Sequence, residues 1–149
     1  MNDLITKSRA IPTPAPQTTI TINPITLPAP DRGRPLELRV TAPMTGNDLP
    51  IILLSHGHGP SLYIPSKDGY GPLVDFYAAH GFVVIQPTHA NSKVAGLSPD
   101  TPGYPFFWQS RLDDMTLILD SLTAIDRPDL SYFARAETMA SATLRGASV

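Results

Sequence analysis

Two stretches of the chain alternate apolar and polar residues with a period of two. In "TTITIN" (18–23) Ile20 and Ile22 fall on one face. In "LELRVTA" (36–42) Leu36, Leu38 and Val40 stand opposite Glu37, Arg39 and Thr41. Side chains alternate across a strand, so this pattern predicts half-buried, antiparallel strands. The turn "MTGNDLP" (44–50) follows, with Gly, Asn, Asp and Pro supplying its chemistry. Beyond it the pattern changes. "IILLS" (51–55) and "FVVIQP" (82–87) hold unbroken apolar runs, as expected of strands covered on both faces. Between them "GPLVDFYAAHG" (71–81) predicts a helix, with Pro72 in its first turn and Gly81 just past its end. Leu73, Val74, Phe76 and Tyr77 form its apolar stripe. Strand, helix and strand in that order predict a βαβ unit and a parallel pair.

"THANSKVAGLSPDTPGYP" (88–105) reads as a long loop. In "FFWQSRLDDMTLILDSLTAI" (106–125), Trp108, Leu112, Met115, Leu119 and Leu122 recur at steps of four and three. That spacing predicts an amphipathic helix with this stripe on the core and Arg111, Asp114 and Asp120 off it. The periodicity then fades, with room only for a short helix over Leu130–Met139. The organisation expected is a proline-rich segment over 1–35, extended and loop-rich with one short strand. A partial α/β domain over 36–128 and an irregular tail over 129–149 follow.

Composition narrows the function classes. At 149 residues the chain suits one domain with a sizeable core. A net charge of −2 with 42% hydrophobic residues fits neither a nucleic-acid binder nor an acidic disordered chain. The absence of cysteine removes disulfides, thiolate metal sites and a cysteine nucleophile. No apolar run reaches the roughly 20 residues of a membrane span, and no signal-like apolar core opens the chain, so a cytoplasmic location is expected.

The chemistry concentrates in "LPIILLSHGHGPSLY" (49–63). His56 and His58 point the same way on an extended chain and could reach one metal ion, which predicts a metal-dependent hydrolase if further ligands exist. His89 is distant in sequence, and His80 sits in a helix C-terminal turn, where a cation complements the helix dipole. The ligand set is incomplete, and no metal or cofactor is expected. The other reading puts the chemistry in the backbone. Gly57 and Gly59 allow unusual φ and close approach, so amides freed at a strand end could hold an oxyanion. A glycine-rich turn without chemistry is the third reading.

Three segments in order, "LPIILLSHGHG", "DFYAAHGFVVIQPTHANS" and "RLDDMTLILDSL", resemble the N-terminal half of an α/β-hydrolase. The resemblance is to the group of platelet-activating-factor acetylhydrolase, chlorophyllase and dienelactone hydrolase, and it covers roughly residues 36–125. It implies an incomplete α/β-hydrolase sheet, antiparallel strands leading into parallel βαβ, without the C-terminal half. It implies hydrolysis of a small or lipid-like carboxylic ester or lactone by a Ser-His-Asp triad. The His58 amide would donate to the oxyanion, with Gly57 and Gly59 shaping the loop. His56, Arg111 and Asp114 would be structural residues beside the site, and Tyr63 would stand at its mouth.

The same resemblance exposes gaps. No complete G-x-S-x-G elbow occurs, and only Ser148 in "RGASV" falls near the nucleophile's position. No histidine follows His89, and Asp100 and Asp120 read as loop and helix-surface residues. The expectation is therefore a truncated or frameshifted hydrolase, inactive alone. The alternative is a non-catalytic fragment that associates, with itself or a partner, through an exposed sheet edge.

Overall fold

The computed structural model describes residues 3–57, 66–92 and 98–125. A short helix, α1 (Asp3–Arg9), opens the proline-rich segment over 1–35, which was expected to be extended and loop-rich with one short strand. The residues after it, with prolines at 12, 14 and 16, are non-helical, since proline fixes φ and lacks the N–H a helix needs. Strand β1 (Thr19–Leu27) then pairs antiparallel with β2 (Leu36–Pro43), joined through a 3-10 turn at Pro30–Arg32. Strand β3 (Ile51–Leu53) and β4 (Val83–Pro87) are parallel and connected through helix α2 (Gly71–Ala79). The sheet is mixed, with strand order β1-β2-β4-β3 and β4 antiparallel to β2. The expected α/β sheet with a parallel βαβ unit is therefore present.

Helices cover both faces. Val83 and Ile85 of β4 join Leu36, Leu38 and Val40 under Ile118, Leu122 and Ile125, from α3 (Trp108–Asp120) and α4 (Leu122–Ile125). Val84 points the other way and packs with Val74 and Ala78 of α2. This alternation explains why β4 is apolar throughout its core: both of its faces are covered.

Two apolar stripes differ from expectation. On α2 the buried residues are Val74 and Ala78, while Leu73 and Phe76 are exposed. On α3 the helix buries Asp114 and Ile118, and Trp108, Leu112 and Leu119 face outward. Trp108 is 66% exposed and Leu112 63%, so the expected stripe is split: these two and Leu119 face outward, while Met115 packs against the core and Leu122 is buried in it. The cause lies in Asp114, whose polar partners draw that side of the helix inward, as described below. Strand β3 is also only half-buried, because among the described residues it has a neighbour on one side alone. No helix among the described residues is long and apolar enough to cross a membrane.

Candidate functional site

Parallel strands β3 and β4 end side by side, and the loops leaving them meet the N-terminal half of α3. Clefts at the carboxyl ends of parallel strands are where α/β sheets place ligands. Here the first loop supplies Ser55, His56 and Gly57. The second supplies Thr88, His89 and Asn91, and α3 supplies Arg111 and Asp114, one turn apart.

These residues form one hydrogen-bonded network. The Ser55 hydroxyl lies 3.0 Å from Nε2 of His89. Nδ1 of His89 lies 2.8 Å from Oδ2 of Asp114. Arg32, on the 3-10 turn between β1 and β2, donates from Nη1 to Oδ1 of Asp114 at 3.1 Å and from Nη2 to the Thr88 carbonyl at 3.3 Å. Arg111 donates to the Ser55 hydroxyl at 2.7 Å, to Oδ1 of Asn91 at 3.2 Å and to the His56 carbonyl. His89 is fully buried and Asp114 is 2% exposed, whereas Ser55 is exposed. A buried carboxylate needs such partners, since an unpaired charge away from water is strongly destabilising. Burial holds the Arg32 and Arg111 guanidinium groups below their ordinary values, and the Asp114 carboxylate opposes that shift in both.

His56 uses both ring nitrogens. Nδ1 donates to the Gly57 carbonyl at 2.7 Å, and Nε2 accepts the His89 amide at 3.1 Å. Burial lowers its pKa from 6.5 to about 4 despite the Gly57 bond, and His89 and Arg111 push in the same direction. A neutral imidazole is what this arrangement requires, because a protonated Nε2 could not accept an amide N–H. It also leaves no lone pair on His56 for a metal ion, which counts against the metal site expected of His56 and His58. Among the described residues no group of three or more His, Asp or Glu could hold one.

The loop is fixed from its other side by Tyr70, whose hydroxyl accepts the Gly57 amide at 3.2 Å. Gly57 is not in the left-handed region. A Cβ there would meet the Tyr70 hydroxyl at 3.4 Å, so close approach rather than positive φ is what its small size serves. The two aromatic residues that begin the flanking helices do take positive φ: Tyr70 at 62° before α2 and Phe107 at 50° before α3. Bulky residues rarely adopt this conformation, and such strain tends to gather at functional sites. A cavity of about 420 Å³ lies behind the network, its lining including Ala29, Arg32, Ala90, Phe107, Asp114 and Leu117.

Of the residues singled out from the sequence, His56, Arg111 and Asp114 are brought together around one loop. His58, Gly59, Tyr63 and Ser148 lie outside the described residues. His80 donates from Nδ1 to the Phe76 carbonyl at 2.7 Å, in the expected helix-end position. Ser55, His89 and Arg32 were missed as site residues. Nothing local marks them, although "R-x-x-D" on α3, with both residues off the apolar stripe, pointed to partners in need of explanation. No protein-family model and no curated protein matches the chain.

Proposed function

We propose that the chain carries the site of a carboxylic-ester hydrolase of the α/β-hydrolase kind, acting on small or lipid-like esters. One observation supports this above the others: the Ser55–Gly57 loop, at the carboxyl edge of a parallel pair, is clamped from three directions. Arg111 grips its carbonyl, His89 its histidine and Tyr70 its amide. Acyl transfer requires polar groups preorganised around a developing oxyanion, because groups that must reorganise during reaction lose most of their effect. A turn with no chemical role has no need of a partly buried network of two arginines, two histidines and an aspartate. The expected inactivity rested on the missing G-x-S-x-G elbow and on the lack of a later histidine and acid, all arguments from chain order, and activity of the purified chain tests it directly.

The test is turnover of p-nitrophenyl acetate by the purified, folded chain, alongside labelling by a fluorophosphonate. Turnover above the buffer blank is expected, falling in Arg111→Lys, since a lysine cannot serve three separated acceptors. A folded chain showing neither turnover nor label would sink the proposal.

A second reading, self-association through β3, is favoured by the side of that strand left without a neighbour among the described residues and by the exposed Trp108, Leu112 and Leu119 on α3.

A further inference from the structure

We propose that the cavity beside α3 is a second binding site, one that takes a small organic ammonium carrying an oxygen acceptor. The site goes beyond the ester-hydrolase reading and does not rest on it. None of Ser55, His56, Gly57 and Arg111 lines the cavity. Its volume of about 420 Å³ falls within the roughly 300–1,000 Å³ of small-molecule sites. Phe107, Ser110, Asp114 and Leu117, spaced by three and four residues, put one side of α3 and its entry on the wall. Ala29 and Arg32 close it from the turn between β1 and β2, and Ala90 from the loop after β4.

Two features define the occupant. The first is charge. Three carboxylates line the cavity, Asp31, Asp113 and Asp114, against one guanidinium, that of Arg32. Arg32 is already paired with Asp114, at 3.1 Å. Asp31 and Asp113 form no ion pair among the described residues; Asp113 accepts from Gln109 at 2.9 Å. The lining is left with negative charge that a cation would complement. A metal ion does not suit it. Among the described residues no group of three or more His, Cys, Asp or Glu could hold one, and Ala29, Ala90, Phe107 and Leu117 make much of the wall apolar. An ammonium on an apolar body suits both the charge and the wall.

The second feature is a buried donor. The Arg32 side chain lines the cavity and is only 10% exposed, yet its Nε has no acceptor among the described residues. Its Nη atoms are taken by Asp114 and the Thr88 carbonyl. A buried donor without a partner is rare in a native fold and marks a place for water or a ligand. An ether or hydroxyl oxygen on the body of the ammonium would supply the acceptor.

The test titrates the full chain by calorimetry with four phenyl probes. These are 2-phenoxyethylammonium, 3-phenylpropylammonium (carbon in place of the ether oxygen), the neutral 2-phenoxyethanol and the anion phenoxyacetate. The ether ammonium is expected to bind best and the alkyl ammonium next, with the alcohol weaker and the anion not bound. Asp31→Asn and Asp113→Asn should each weaken 2-phenoxyethylammonium about threefold, and the double variant about tenfold, as for solvent-exposed ion pairs. Both side chains are exposed, and an amide in place of Asp113 still offers Gln109 an oxygen, so the fold should survive, which the urea midpoint checks. In NMR spectra the Ala90, Ser110 and Leu117 amides should shift on saturation. Equal binding of the alcohol overturns the cation, and so does an affinity unmoved in the double variant. Equal binding of the two ammonium ions overturns the pairing of the oxygen with Arg32. Shifts confined to Trp108 and Leu112 put the probe on the exposed side of α3 and overturn the site, as does the lack of saturable binding by any probe. No outcome depends on ester turnover, so the ester-hydrolase reading stands or falls separately.

Discussion

His56 is the residue at which loop geometry and protonation are most tightly tied. Its two ring bonds exist together only when the imidazole is neutral, and its pKa is held near 4 against 6.5 in the unfolded chain. Between those values the unfolded state binds the proton that the folded state refuses. Stability therefore falls as pH drops from about 6.5 towards 4, and the loss levels off below, where both states are protonated. The slope is at most about 1.4 kcal/mol per pH unit from this one group. Urea unfolding at pH 7 and pH 5 should show the drop. His56→Gln, which keeps a side-chain acceptor but does not titrate, should flatten it. An unchanged slope in that variant would mean that another group controls the acid limb.

At the scale of elements, the end of α2 is set by a few local bonds. The Gly81 amide donates to the Ala78 carbonyl at 3.2 Å and the Phe82 amide to the Tyr77 carbonyl at 3.1 Å, with the Tyr77 and Phe82 rings in edge contact. This is the paired arrangement in which glycine takes the left-handed position after a helix, and Gly81 has a φ of +98°. Space is open around it, so Gly81→Ala should cost only the backbone strain, about 1–2 kcal/mol in chemical denaturation. A neutral effect would contradict that account. This cap was legible in the sequence because its causes are local, and so were the antiparallel alternation of β2 and the buried run of β4. The face of α3 was not legible. Its apolar residues repeat at regular helical spacing, yet periodicity shows only that a stripe exists and not which surface will cover it. Asp114 turns inward because of His89 and Arg32, 25 and 82 residues away in sequence, and no local pattern carries such partners. Ser55 was hidden for the same reason: it is an ordinary strand-end serine until β4 places His89 beside it.

For the whole molecule, the side of β3 that has no neighbour among the described residues is where self-association would begin. In a parallel ladder alternate residues bond to the same neighbour. The Leu54 amide donates to the Ile85 carbonyl at 2.9 Å and the Val83 amide to the Pro50 carbonyl at 2.9 Å, so positions 50, 52 and 54 serve β4. The backbone groups of Ile51 and Leu53 consequently face the open side. A second copy pairing there would protect the Ile51 and Leu53 amides without touching those already bonded to β4. Amide hydrogen exchange measured in dilute and in concentrated solution separates the two sets. In dilute solution the Leu54 amide should exchange slowly and that of Leu53 fast. On concentration, Leu53 should slow in step with a rise in mass by light scattering, and Leu54 should change little. If mass rises while Leu53 stays fast, the contact is elsewhere, and the exposed Trp108 and Leu112 of α3 become its site; Leu112→Lys should then return the chain to a monomer. If mass never rises, the edge is tolerated in isolation, because a three-residue strand offers too few unpaired groups to hold a second chain.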